Sequence, residues 1–318
     1  MKWDQHYGYK RMLQKDKLTI RLNMPIENHG KQKPTMNHQV KRAQLAEELG
    51  FTALWFQDVL LEDPTFDDPA TGQVFDSHIY LTYIGSHTSK INLGTAASVL
   101  SLRHPLRLAK EAASIDNLFP ERFMLGLSSG DRRRDFSALN IPILERGEIF
   151  RESLEYFKKV MNSEYEDYTS SLGSLENVTL VPKPTSDIPI FITGYAQQTL
   201  DYVAAHGDGF MFYPQSLDKQ ASLIREYQTK ARTYHPEQYK PFFQPIVMDL
   251  HDNPDHEPEK IKLGYRLGRK ALIEWLKQHE EIGVNHVMIS LAHSTRDAEE
   301  VMKEIGEEVI PHFPPHHS

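Results

Sequence analysis

Residues 91–128 read INLGTAASVLSLRHPLRLAKEAASIDNLFPERFMLGLS, and this stretch decides the class of fold. It opens on a short apolar run, Ile91–Ala97, and closes on another, Phe123–Ser128. Between them lies a helical pattern. Pro105 stands at its start, where the first turn has N–H groups without intrahelical partners and a missing one does no harm. Leu108, Ala112, Ile115 and Phe119 then recur on one face. A strand, a crossover helix and a second strand in that order make the two strands parallel, and a parallel sheet must be covered by helices.

The same alternation continues outward in both directions. Towards the N-terminus, Leu18–Met24 and Ala53–Gln57 read as strands, with helices at Met36–Leu49, stopped by Gly50, and at Ser77–His87. Towards the C-terminus, Glu145–Met161 is a clear amphipathic helix whose apolar stripe is Phe150, Leu154, Phe157 and Val160. Strands follow at Ile188–Thr193, Gly209–Tyr213, Phe243–Leu250 and His286–Leu291. They alternate with helices at Gln197–Ala205, Leu217–Tyr234, Arg269–Ile282 and Arg296–Val309. Eight strands and eight helices predict an α/β chain folded as one (β/α)8 TIM barrel over residues 1–318. No G-x-G-x-x-G follows an early strand, which argues against an open doubly wound sheet. Residues 1–17 read as an N-terminal extension and 311–318 as a tail. Two segments break the rhythm. Asn162–Asp187 suggests a short hairpin after strand four, built from Tyr165, Tyr168 and Val178–Val181 around Gly173. His251–Gly268, after strand seven, reads as a mobile loop at the barrel mouth.

Composition narrows the function. A net charge of -8 argues against a nucleic-acid binder, which needs a concentrated basic surface. No apolar run has the length of a membrane helix, and Met1–Lys17 has no apolar core of a secretory signal. The absence of cysteine removes disulfides and thiolate chemistry, and a cytoplasmic protein is expected. The histidines are scattered, with His312, His316 and His317 in a Pro-rich tail, so no metal site is expected.

In such a barrel the reacting groups stand at the C-terminal ends of the strands. Those ends are Asn23/Met24, Gln57/Asp58, Ala96/Ala97, Ser128/Ser129, Thr193/Gly194, Phe212/Tyr213 and Ser290/Leu291. Only one carboxylate and no lysine or histidine stands there, which suits a cofactor that brings its own reactivity. Thr193-Gly194-Tyr195-Ala196-Gln197-Gln198 runs from a strand into a predicted helix, where unpaired amides can hold a phosphate. An ordinary polar first turn explains the same residues. Asp58 is either a proton donor or acceptor, or a capping carboxylate. Arg132-Arg133-Arg134, in the loop after strand four, is either a solvated cluster or a lure for an anion.

The run Leu93-Gly94-Thr95-Ala96-Ala97, then Arg103-His104-Pro105, Asp116, Arg122-Phe123 and Gly126, resembles the bacterial-luciferase-like flavin monooxygenases. Val181-Pro182-Lys183-Pro184, Gly194 and Asp208-Gly209 are similar to that family's phosphate-binding half, in the same order. The resemblance implies a (β/α)8 barrel, usually dimeric, that uses reduced FMN and molecular oxygen. It implies a non-proline cis peptide at Ala96–Ala97 beneath the flavin ring. The ring would also lie near Gln57, Ser128 and Ser129, and the phosphate would rest on the turn of Gly194, Tyr195, Ala196, Gln197 and Gln198. Two departures stand out. Asp58 occupies the place of the luciferases' catalytic histidine, and Ser128-Ser129 replaces a Cys-Arg pair, so light emission is not expected.

The expected function is therefore an FMN-dependent monooxygenase supplied by a separate flavin reductase, with Asp58 and Ser128 near the reacting edge. Three alternatives compete: a dehydrogenase or reductase using a deazaflavin coenzyme, a non-catalytic flavin-binding protein, and an unrelated phosphate-binding barrel such as an isomerase.

Overall fold

Short β-branched and aromatic runs become strands wherever both their faces can be buried, and here eight of them each find at least two neighbours. The computed structural model describes residues 6–30, 32–63, 65–66 and 75–316; residues 1–5 of the expected extension and His317 lie outside them. The first half of the chain holds α1 (Tyr7–Met12), β1 (Thr19–Met24), α2 (Gln39–Glu48), β2 (Ala53–Phe56) and α3 (Ser77–Gly85). It continues with β3 (Asn92–Thr95), β4 (Ser98–Val99), α4 (Pro105–Leu118), β5 (Phe123–Ser128), α5 (Arg133–Ala138) and α6 (Arg146–Asn162). A hairpin of β6 (Tyr168–Ser170) and β7 (Gly173–Leu175) leads to β8 (Ile190–Thr193), α7 (Leu200–His206), β9 (Gly209–Met211) and α8 (Leu217–Tyr234). The last quarter is β10 (Phe242–Leu250), β11 (Glu259–Ile261), β12 (Gly264–Leu267), α9 (Arg269–Glu281), β13 (His286–Ser290) and α10 (Ala298–Glu304).

Strands β1, β2, β3, β5, β8, β9, β10 and β13 pair in that order, all parallel, and β13 returns to β1 with Thr19 opposite His286. The ring is closed, and the chain is a (β/α)8 TIM barrel. Alternate residues face in and out. Leu54 and Phe56 join the outer layer beneath the helices, whereas Trp55, Met124, Phe191, Met211, Phe243 and Met288 fill the interior. Arg21 lies fully buried over the Trp55 ring at 3.9 Å. No helix among the described residues is long and apolar enough to cross a membrane.

Several expectations need correction. The N-terminal segment is no appendage: Tyr9, Met12 and Leu13 join the interior cluster and close the barrel floor. Gly8 permits this, because a Cβ there would lie 2.3 Å from Asn92 Oδ1. The tail joins the same end, with the His316 amide donating to Arg11 O at 2.9 Å. The inserted hairpin spans only 168–175, so Tyr165 and Val178–Val181 lie outside it. His251–Gly268 is not simply a loop, since β11 and β12 form a hairpin and β12 extends the sheet beside β10. The final helix ends at Glu304 and passes into a π-helical turn, Ile305–Val309.

Candidate active site

At the C-terminal ends of β2, β3, β5, β8 and β9 the barrel opens into a cavity of about 270 Å³. One wall is Gln57, Asp58 and Val59, which follow β2. The next is Ala96, Ala97 and Val99, where the Ala96–Ala97 peptide is cis. Ala96 is held by its amide, which donates to Phe56 O at 2.8 Å. The preceding Thr95 is fastened to the neighbouring strand: its Oγ1 donates to Gly126 O at 2.8 Å and accepts from Gly126 N at 3.1 Å. Ser128, Ser129 and the loop into α5 form a third wall, and Thr193–Gln197 with Tyr213 a fourth. The residues expected at the flavin thus converge on one cavity, except Gln198, whereas the other strand ends Asn23, Met24, Phe212, Ser290 and Leu291 do not line it. The Gln198 side chain donates instead to Gly147 O at 2.6 Å and Ala196 O at 3.2 Å.

The fourth wall differs from its sequence reading. Ala196 and Gln197 have φ of 48° and 60°, in the left-handed region, so no helix can start there. The helix begins later, at Leu200, where Thr199 Oγ1 accepts from the Tyr202 amide at 3.2 Å. What precedes it is a compact turn with Gly194 also at positive φ, 60°. The amides of Gly194 and Gln198 donate to Met211 O and Tyr195 O, both at 2.8 Å. Those of Tyr195, Ala196 and Gln197 donate to no group among the described residues. Successive amides left open by such a turn form an anion-binding concavity, which needs no helix.

Asp58 is less available than the sequence suggested. Its carboxylate accepts from Val99 N at 3.0 Å, Ser77 Oγ at 3.1 Å, and Arg103 Nη2 and Nε at 3.2 and 3.3 Å. Arg103 also donates to Asp76 Oδ2 at 2.7 Å and Glu111 Oε2 at 3.1 Å. Glu111 in turn stands 3.2 Å from His78 Nδ1, and His78 Nε2 lies 3.2 Å from Ser98 Oγ. Burial alone would lower the Arg103 pKa, but Asp58, Asp76 and Glu111 outweigh it and raise it above the ordinary value. Burial would likewise raise that of Asp76, yet the Ile79 amide and Arg103 hold it below the usual carboxylate range. Sequence reasoning missed this network. Arg103 lay within the motif Arg-His-Pro but was read only as a family marker.

The arginine run is also resolved. Arg132 lines the cavity, donates to Leu61 O at 2.9 Å, lies 3.5 Å from Asp135 and covers the Phe66 ring at 4.6 Å. Arg134 pairs with Asp63 at 3.2 Å, and Arg133 is exposed. Instead of a loop, residues 133–138 form α5. Burial pushes the Asp135 pKa up despite Arg132.

Comparison with known proteins agrees with this architecture. The family model described as luciferase-like monooxygenase matches residues 20–248. An F420-dependent glucose-6-phosphate dehydrogenase of Kineococcus radiotolerans is 25% identical over 170 residues, 52% of this chain and 49% of the relative. The alkanal monooxygenase alpha chain of Photorhabdus luminescens is 25% identical over 178 residues, 55% of this chain and 47% of that one. The chain thus spans about half the length of the curated relatives it matches. Among solved structures, an F420-dependent secondary alcohol dehydrogenase in complex with an F420-acetone adduct superposes with TM-score 0.77 at 15% identity, covering 93% of this chain and 99% of the other.

Proposed function

The chain belongs to the luciferase-like monooxygenase family of oxidoreductases, and from that premise we propose that it uses reduced FMN and molecular oxygen to oxygenate a small organic substrate. One observation carries the reading. The open amides of Tyr195, Ala196 and Gln197 and the wall of Ala96 and Ala97 line the same cavity. A phosphate on the first and a planar ring against the second fit one nucleotide, and the donor set suits an anion without any metal. When bound, reduced FMN would supply the electrons that split dioxygen, one oxygen atom going to substrate and the other to water.

The chain's own part is binding and orientation. The turn 194–197 holds the phosphate, and Gln57, Ala96, Ala97 and Ser129 confine the ring. Ser128 Oγ donates a hydrogen bond at the reacting edge, and Asp58 fixes the wall beside it. Tyr213 and Phe136 help to exclude water. A separate reductase supplies the reduced flavin, and the protein works in the cytoplasm as a homodimer. The apolar outer face of α3, with Ile79 72% and Tyr83 54% exposed, is the surface offered for self-association.

F420-dependent dehydrogenases among the relatives support a second reading, hydride transfer by a deazaflavin. Titration of the purified protein with FMN, riboflavin and F420, followed by oxygen-consumption assays with reduced FMN, separates the two. The FMN reading expects FMN to bind at least about tenfold more tightly than riboflavin, the equivalent of one charge-assisted hydrogen bond. Preference for F420, with hydride transfer and no oxygen uptake, would overturn it.

A further inference from the structure

We infer that Arg103, with Asp58, Glu111 and His78, is a positioning unit that sets the wall against which the flavin ring rests. The inference rests on the flavin reading and assigns a function to Arg103, Glu111 and His78, which do not line the cavity. Two consecutive residues after the alanine pair are fixed from two directions. Ser98 Oγ meets His78 Nε2 at 3.2 Å, and Val99 N donates to Asp58 Oδ2 at 3.0 Å. Both anchors lead to the same guanidinium. Arg103 donates to Asp58 directly, and to Glu111, which stands beside His78.

A guanidinium suits this junction. Its planar fork spreads five donors over a rigid frame and reaches Asp58, Asp76 and Glu111 at once, whereas an ammonium gathers its three donors at one point. The carboxylates come from three elements: the end of β2, the N-cap of α3 and the body of α4. The segment 98–99 is therefore referenced to three parts of the barrel, and Ala97 to it by one covalent bond. Ser98, His78 and Glu111 stand in the order of a nucleophilic triad, although His78 Nδ1 only approaches Glu111, at 3.2 Å, and makes no hydrogen bond to it. Ser98 and His78 are buried, however, and neither lines the cavity, so the row serves as a tether. Catalysis depends on sub-ångström placement of the reacting groups, so loosening this wall changes the cofactor's environment without removing any contact to it.

The test uses Arg103→Gln and Arg103→Lys in the full chain, with Ser98→Ala as a milder variant that cuts one tether. Hydrogen–deuterium exchange of the cofactor-free protein reports on residues 96–103, and FMN titration reports affinity and the visible spectrum of bound flavin. Arg103→Gln is expected to exchange at least tenfold faster at Val99, to bind FMN at least tenfold more weakly and to lose the wild-type spectral shift. Arg103→Lys should recover part of each, and Ser98→Ala should change the spectrum with a smaller loss of affinity. Faster exchange with unchanged FMN affinity and spectrum overturns the positioning role, as does unchanged exchange at Val99. If the wild type binds neither FMN nor F420, the flavin reading itself fails, and that result is distinct because the unaltered protein shows it.

Discussion

Gly126 shows how a motif residue can be legible while its reason is not. It was recognisable from the sequence as part of a family pattern, but the structure supplies the cause: a Cβ there would lie 2.0 Å from Thr95 O. That oxygen is backbone and cannot swing aside, so Gly126→Ala should destabilise the fold by at least about 2 kcal/mol. Urea unfolding with an unchanged m-value would measure it; wild-type stability would refute the packing explanation. Ser128 is the opposite case, a residue named for chemistry and placed in the cavity wall. Ser128→Ala should lower kcat/KM about tenfold with little change in FMN affinity, the effect of one lost hydrogen bond. An equal loss in FMN binding would make Ser128 a cofactor anchor instead. Asp58 could be found from the sequence but not understood from it, because its partner Arg103 is remote along the chain and close only in space.

At the scale of elements, periodicity located the long helices well, and α8 has the predicted bounds Leu217–Tyr234. It failed where short segments depend on partners. Residues 7–12 are too few to show an amphipathic period, yet α1 forms because the barrel floor accepts Tyr9 and Met12. Met12→Ala should therefore cost about 3 kcal/mol in chemical denaturation, as for a buried core methionine; an effect below about 1 kcal/mol would make α1 dispensable. In α9, His279 stacks on Trp275 at 3.7 Å between ring centroids, and burial lowers its pKa to about 4. The folded state then binds its proton less readily than the unfolded state. Stability present above pH about 6.5 is lost as pH falls from there towards the folded value, at roughly 1 kcal/mol per unit near the middle of that window. His279→Gln should flatten the dependence of Tm on pH between about 6.5 and 4.5. An unchanged slope would show that other groups govern it.

For the whole molecule, the order of strands and helices carried the fold. Alternating elements leave few closed solutions once both sheet faces must be covered, and the barrel follows. Association is a separate matter, since an exposed apolar helix face is visible only after the helix is placed. If two copies meet through α3, Ile79→Lys should shift the protein from dimer to monomer in light scattering while its circular dichroism stays unchanged. A wild-type monomer, or a variant that remains dimeric, would place any interface elsewhere.

Taken alone, the sequence determined the alternation of buried strands and covering helices, the glycine and alanine positions at the strand ends, and the oxidoreductase family they resemble. These are local in chain order, set by side-chain period, turn residues and motif spacing. The tertiary structure alone decided that the turn 194–197 precedes its helix, that Gln198 turns away, that Tyr9, Met12 and Leu13 close the barrel floor and that Asp58 belongs to Arg103. Each of these depends on which distant groups meet and which backbone amides are left without partners, and chain closure, not local pattern, sets both.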